Sequence, residues 1–162
     1  MKSLFSCLLV ALFVTPFCFG QQTYTNSQQN FSMNLPGTAD ASDSTSDMFI
    51  MSSFTSDYSL AVIVMSPADK VENTRESLDA HIAMIKDAES NSISNCQNNT
   101  FNGDYATICD WTFTNDKGVH VIGKYWMCIH NSYVYDVGVG ASTESQYASQ
   151  VMSYLNSFVF LK

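Results

Sequence analysis

Any chemistry in this sequence has to come from few residues: three histidines, five cysteines and a charged fraction of only 14%. The densest group lies between Asp110 and His130. Asp110, Thr112, His120, Lys124, Trp126, Cys128 and His130 all occupy even positions, a spacing that puts side chains on one face of paired strands. A carboxylate, imidazoles, an ammonium and an indole on one surface could line a ligand or partner groove. An indole between cationic or titratable groups suits an aromatic or anionic partner. The same row also fits a wetted sheet face partly covered by a helix, which needs no ligand. Cys128 and His130 share that face as half of a metal site would, but no second ligand pair accompanies them, so no metal is assigned.

Other candidates are weaker. Asp40, Asp43 and Asp47 sit in a Ser/Thr-rich loop, but their spacing matches no calcium loop and reads as a solvated acidic turn. His81 falls at the edge of a helical apolar stripe and reads as a satisfied boundary histidine. Met48, Met51, Met65, Met84, Met127 and Met152 are dispersed as core filling rather than gathered in a copper box. No Ser or Cys has a base close in sequence, and no phosphate loop or nucleophile elbow is present. No catalytic residue or cofactor is assigned.

The chain of 162 residues is 46% hydrophobic with a net charge of -8, the mix of a folded domain with a poor surface for a phosphate backbone, so nucleic acid is excluded as a partner. Lys2 precedes an almost wholly apolar stretch, Leu4 to Phe19, which ends at Gly20 before Gln21-Gln22. That is the layout of a secretory signal peptide over residues 1–20. The run is about 16 residues long and broken by Pro16, short for a bilayer span of roughly 20 residues, so no integral membrane segment is expected after cleavage. Cys18 follows Phe17 where a lipobox needs a small residue. Residues 21–30 form a polar N-terminal segment, and residues 31–162 read as one domain, secreted or periplasmic.

Within it, Phe31 to Leu35 alternates and is stopped by Pro36-Gly37, Thr38 to Asp47 is a loop, and Met48–Phe54 and Leu60–Met65 are strands. The unbroken Leu60 to Met65 run belongs at a central position. Asn73 with Glu76 caps a helix over residues 74–89, carried by Leu78, Ile82, Ile85 and Ala88. Gln97 to Val139 is a four-stranded meander with turns at Asn102-Gly103, Asp116-Lys117-Gly118 and near His130-Asn131-Ser132. Thr143 with Gln146 caps a last helix whose stripe is Tyr147, Val151, Tyr154, Leu155 and Phe158. The order βββα-ββββα calls for an antiparallel sheet flanked by helices, the α+β class.

Two hairpin registers follow. A two-residue turn at Asn102-Gly103 sets Cys96 opposite Cys109 as a non-hydrogen-bonded pair, with α-carbons about 4.5 Å apart, which export would allow to oxidise. The alternative is two buried thiols; if the pair forms, Cys128 is the cysteine left over, because the next hairpin's register does not bring it opposite Cys109. In the next hairpin, Trp111 lies opposite Gly123, which would free room for the indole, and Lys124 opposite Asp110. A one-residue slip would scatter Cys109, Trp111, Phe113, Val121, Tyr125, Met127 and Ile129 across both faces. Asn30 and Asn98 head glycosylation sequons, meaningful only in a eukaryotic secretory pathway.

This arrangement resembles the PsbP-like fold, the helix-flanked antiparallel sandwich of the extrinsic photosystem II subunit and a Ran-binding protein. The residues that carry the resemblance are Phe31-Ser32-Met33-Asn34-Leu35-Pro36-Gly37, Phe101-Asn102-Gly103-Asp104-Tyr105-Ala106, Val134-Tyr135-Asp136-Val137-Gly138-Val139 and Tyr154-Leu155-Asn156-Ser157-Phe158-Val159-Phe160. The resemblance implies a non-enzymatic binding or accessory module for a protein or small-molecule partner in the envelope, and carries over no site. The rival readings are a small secreted hydrolase or redox enzyme with a spatially assembled site, and a purely structural envelope component.

The signal peptide has a direct check. The intact mass of the exported protein is expected to correspond to a chain starting near Gln21, and retention of residues 1–20 would mean an anchor instead.

Overall fold

Phe31, Met33 and Leu35 are fully buried while Ser32 and Asn34 between them are not, so the alternation read in the sequence is a strand with one face spent on the core. The computed structural model describes residues 22–37, 41–45, 47–54, 57–65, 71–88, 92–114 and 118–162. Residues 1–21, and with them the expected signal peptide, lie outside the described residues, as do Asp40 and the Asp116-Lys117 turn.

Two antiparallel sheets are formed. The smaller has the order β1-β2-β10, from β1 (Gln22–Asn26), β2 (Phe31–Leu35) and β10 (Val159–Phe160). The larger runs β3-β4-β5-β9-β8-β7-β6, from β3 (Ala41–Ser44), β4 (Met48–Phe54), β5 (Tyr58–Met65), β6 (Ile93–Phe101), β7 (Asp104–Thr114), β8 (His120–His130) and β9 (Tyr133–Ser142). The helices are α1 (Arg75–Ala88) and α2 (Val151–Asn156), the second entered through one 3-10 turn, Ala148–Gln150. The class is α+β, and β5, between β4 and β9, has the central position its apolar run calls for.

Three strands are additional to the sequence reading. The polar 21–30 segment contributes β1, an exposed edge that pairs with β2 through a turn closed by Asn30 at φ 57°. The expected loop at 38–47 holds β3, paired with β4. The last residues return as β10 on the other edge of β2. Both helix starts differ as well. Thr74 caps α1, its Oγ1 accepting the Ser77 amide at 3.1 Å, while Asn73 is drawn away to bond Asp104. Residues 143–147 are turns rather than helix, and α2 begins with no side-chain cap.

The larger sheet is covered on both sides. Beneath α1, Leu78 and Ile82 pack on Ile93, Cys109, Tyr125, Met127 and Ile129. His81 joins this layer with Nε2 2.9 and 3.0 Å from the two oxygens of buried Asp136. Burial pushes the Asp136 carboxyl up, and His81 opposes that rise. The start of α1 is tied to the β6–β7 hairpin by Arg75, which donates to Asn98, Thr107 and two backbone carbonyls.

On the opposite face α2 and the small sheet close an aromatic core. Phe158 stacks on Phe31 at 5.2 Å, and Trp126 meets Phe101 edge-on at 4.6 Å. The room for the Trp111 indole is made at Gly138 and not at Gly123 as expected: a Cβ on Gly138 would lie 2.9 Å from the indole, whereas one on Gly123 would strike the Val139 carbonyl at 2.1 Å. Trp126 is 4% exposed. Trp126→Ala is expected to cost about 3–5 kcal/mol of unfolding free energy, read by urea denaturation, and a loss below about 1 kcal/mol would contradict this packing.

Candidate functional site

On the α2 side the coverage stops short of the outer strands, and the uncovered part of the sheet becomes a groove. Its floor is β7 and β8, one wall is the start of α2 and the other is edge strand β6. The main hollow holds about 470 Å³ and is lined by Thr112, Ile122, Ala148, Val151 and Met152 among others. A second recess of about 390 Å³ reaches along β6 past Cys96, Gln97 and Ile108. The two share Asn95, Asp110 and Lys124.

Those three residues form a chain of bonds. Lys124 and Asp110 face each other across β7 and β8, as the expected register has them, with Nζ donating to Oδ1 at 2.5 Å. The other carboxylate oxygen accepts from the Asn95 amide at 2.8 Å. The Lys124 bond, then the Asn95 bond, hold the Asp110 carboxyl below the usual carboxylate range against a smaller opposing effect of burial. Asn95 reaches Asp110 because β6 is bulged between Ser94 and Gln97, with Asn95 at φ 48°. Bulges re-aim side chains in this way, and Asn tolerates the left-handed backbone. Cys96 lies within the bulge, and its sulfur is at disulfide distance from that of Cys109, 2.00 Å, with α-carbons 4.0 Å apart.

No family model matches this sequence, and no curated protein does. Among solved structures the chain is similar to the cyanobacterial PsbP (CyanoP) of Synechocystis sp. PCC 6803, at 12% identity and a TM-score of 0.53, covering 86% of this chain and 91% of that one. The fold is PsbP-like. A protein of unknown function from Pseudomonas aeruginosa, described as a putative regulator, aligns at 11% identity over 84% of this chain and 92% of its own, with a TM-score of 0.46.

The PsbP-like framework separates the five residues expected on one surface. Asp110 and Lys124 are in the groove, 34% and 38% exposed. Trp126 points to the same side but is core, covered by Phe101 and Phe158, with only its edge along a small recess toward Asn99 and Asn156. His130 is removed from the groove: Asp104 holds Nδ1 at 2.6 Å, Asn131 donates to Nε2, and the ring stacks on Phe160 at 3.9 Å. His120 is exposed at the start of β8, away from both hollows. Cys128 is buried, and burial pushes its thiol up, so it is packing. The sequence reading missed Asn95, Ile122 and Met152. The last two are apolar side chains left 40% exposed, and both line the main hollow.

Removing either partner of Asp110 has a definite titration signature. Lys124→Met is expected to raise its pKa toward the ordinary value of about 3.9, and Asn95→Ala to raise it by less. A depressed folded-state pKa stabilises above the unfolded value, and that contribution is lost as pH falls through the folded one. For a pair this exposed it amounts to about 0–1 kcal/mol. Carboxyl NMR titration checks both variants, and an unchanged Asp110 in Lys124→Met would mean the pair does not form in solution.

Proposed function

We propose that this protein is an exported, non-enzymatic binding or accessory module, and that its partner seats in the groove between α2 and β6. The observation that carries the reading is the groove itself. It is a hollow of several hundred Å³, within the range of binding pockets, with an apolar wall on the α2 side and a few polar groups held by one another. Its apolar rim, Ile122 and Met152, is left 40% exposed, beside a core where α2 covers the inner strands of the same face. Export rests on the apolar leader, and a cysteine pair at disulfide distance suits an oxidising compartment. Among the described residues no helix is long and apolar enough to cross a membrane. The two histidine–aspartate pairs are spent on structure, His81 under α1 and His130 against β10, so a binding role accounts for the site with fewer assumptions than an assembled hydrolase.

A photo-crosslinking residue in place of Met152, introduced in the protein's native cell, is expected to give one discrete adduct. The same residue in place of Met84, which is 56% exposed on α1, serves as the control. Adducts at position 84 matching those at 152, or none at 152, would overturn the placement of the site.

A further inference from the structure

The groove is elongated, and its two lobes differ. One is apolar, walled by Ile122, Val151 and Met152, and the other presents the carboxamides of Asn95 and Gln97. The Lys124–Asp110 pair lies where the lobes meet. The ammonium is matched by a carboxylate at 2.5 Å, so the site carries no net charge to hold an anion, while Lys124 keeps further N–H groups to donate. The chain around it has a net charge of -8, which repels acidic occupants. Carboxamides and a balanced ion pair offer a donor beside an acceptor, the pattern an amide backbone presents in return.

The outer wall adds to this. β6 is the edge of the larger sheet. Phe101 and Asp104 pair next to the turn, so the alternation, which runs regularly as far as Gln97, turns the N–H and C=O of Asn98 outward, away from β7. Thr100 has its outward N–H already taken by the Asn99 side chain, so the outward groups of Asn98 are those the regular edge presents next to Gln97 and the groove. An occupant lying along β6 would meet backbone groups on one side and the hollow on the other.

Resting on the groove as the binding site, we infer that its occupant is an extended polypeptide segment of neutral or positive charge that places one aliphatic side chain in the lobe of Ile122, Val151 and Met152. Its backbone amides lie over Lys124 and Asp110. A peptide laid on a sheet edge gains its affinity from such main-chain bonds and its selectivity from the pocket that receives a side chain.

The test is selection of a phage-displayed random heptapeptide library on the purified, oxidised protein, followed by synthesis of an enriched peptide. Enriched peptides are expected to carry an aliphatic residue and no net negative charge. They are expected to bind Met152→Glu at least about tenfold more weakly, roughly 1.4 kcal/mol, and to shift the methyl NMR signals of Ile122 and Met152. Met84→Glu, at an exposed site on α1, is expected to leave binding unchanged. Decanoate, an amphiphilic anion, is titrated in parallel. If decanoate shifts those methyl signals and no peptide does, the groove stands as a binding site and the peptide inference falls. Enrichment of acidic peptides, or binding indifferent to Met152→Glu, overturns the inference. If neither ligand class moves those signals, the inference falls, and the crosslinking at position 152 then decides the groove.

Discussion

The pairing of β7 with β8 decides what every other element can do. Each residue of this hairpin has a fixed opposite, from Ala106 with Cys128 to Thr114 with His120. The two faces have to serve different layers. Odd-numbered Cys109, Tyr125, Met127 and Ile129 meet α1, whereas even-numbered Ala106, Trp126 and Cys128 meet α2 and the small sheet. A slip of one residue would push Trp126 under α1 and turn Met127 toward Phe158, with both packings lost at once. It would also part Lys124 from Asp110. The groove is therefore a consequence of the same register that builds the two cores.

That register was legible because a long strand pair with two differently filled faces tolerates only one alignment. The Asn102-Gly103 turn was legible for a local reason: both residues adopt positive φ, 50° and 94°, as a two-residue hairpin turn requires. The register it starts holds to Gln97 opposite Ile108, and the bulge follows. What was hidden depends on partners distant in sequence. β1 reads Gln-Thr-Tyr-Thr-Asn and β3 reads Ala-Ser-Asp-Ser, neither with an apolar face, and each is a strand because the neighbouring strand supplies its hydrogen bonds. Trp126 stood in a polar row, and only the docking position of α2 and the return of β10 put it in the core. A sharper signal was passed over at Asp136, an acid inside an otherwise apolar strand. Such a carboxylate needs a partner, and His81 supplies it.

For the candidate site the sequence named the pair but not its setting. Lys124 and Asp110 follow from the hairpin, yet Asn95 enters through a backbone irregularity that no alternation pattern reports. The apolar lobe requires that the helix cover start only at Ala148, later than the Thr143 and Gln146 signal suggested. Capping signals mark where a helix could start, and here the Ser142–Ser145 turn bond takes that chain segment first.

Magnitudes separate the residues that hold the fold from those free to serve a partner. A buried indole contributes several kcal/mol, and a buried carboxylate held by an imidazole cannot lose its partner without stranding a charge. An ion pair more than a third exposed contributes at most about 1 kcal/mol, and the fold would survive its loss. Ile122 and Met152 gain little where they stand, since each leaves much of its apolar surface in water. On those terms Trp126, Asp136 and His81 are explained by stability alone. Lys124, Asp110, Asn95, Ile122 and Met152 are not, and their gathering on one groove is the part of this structure that folding does not require.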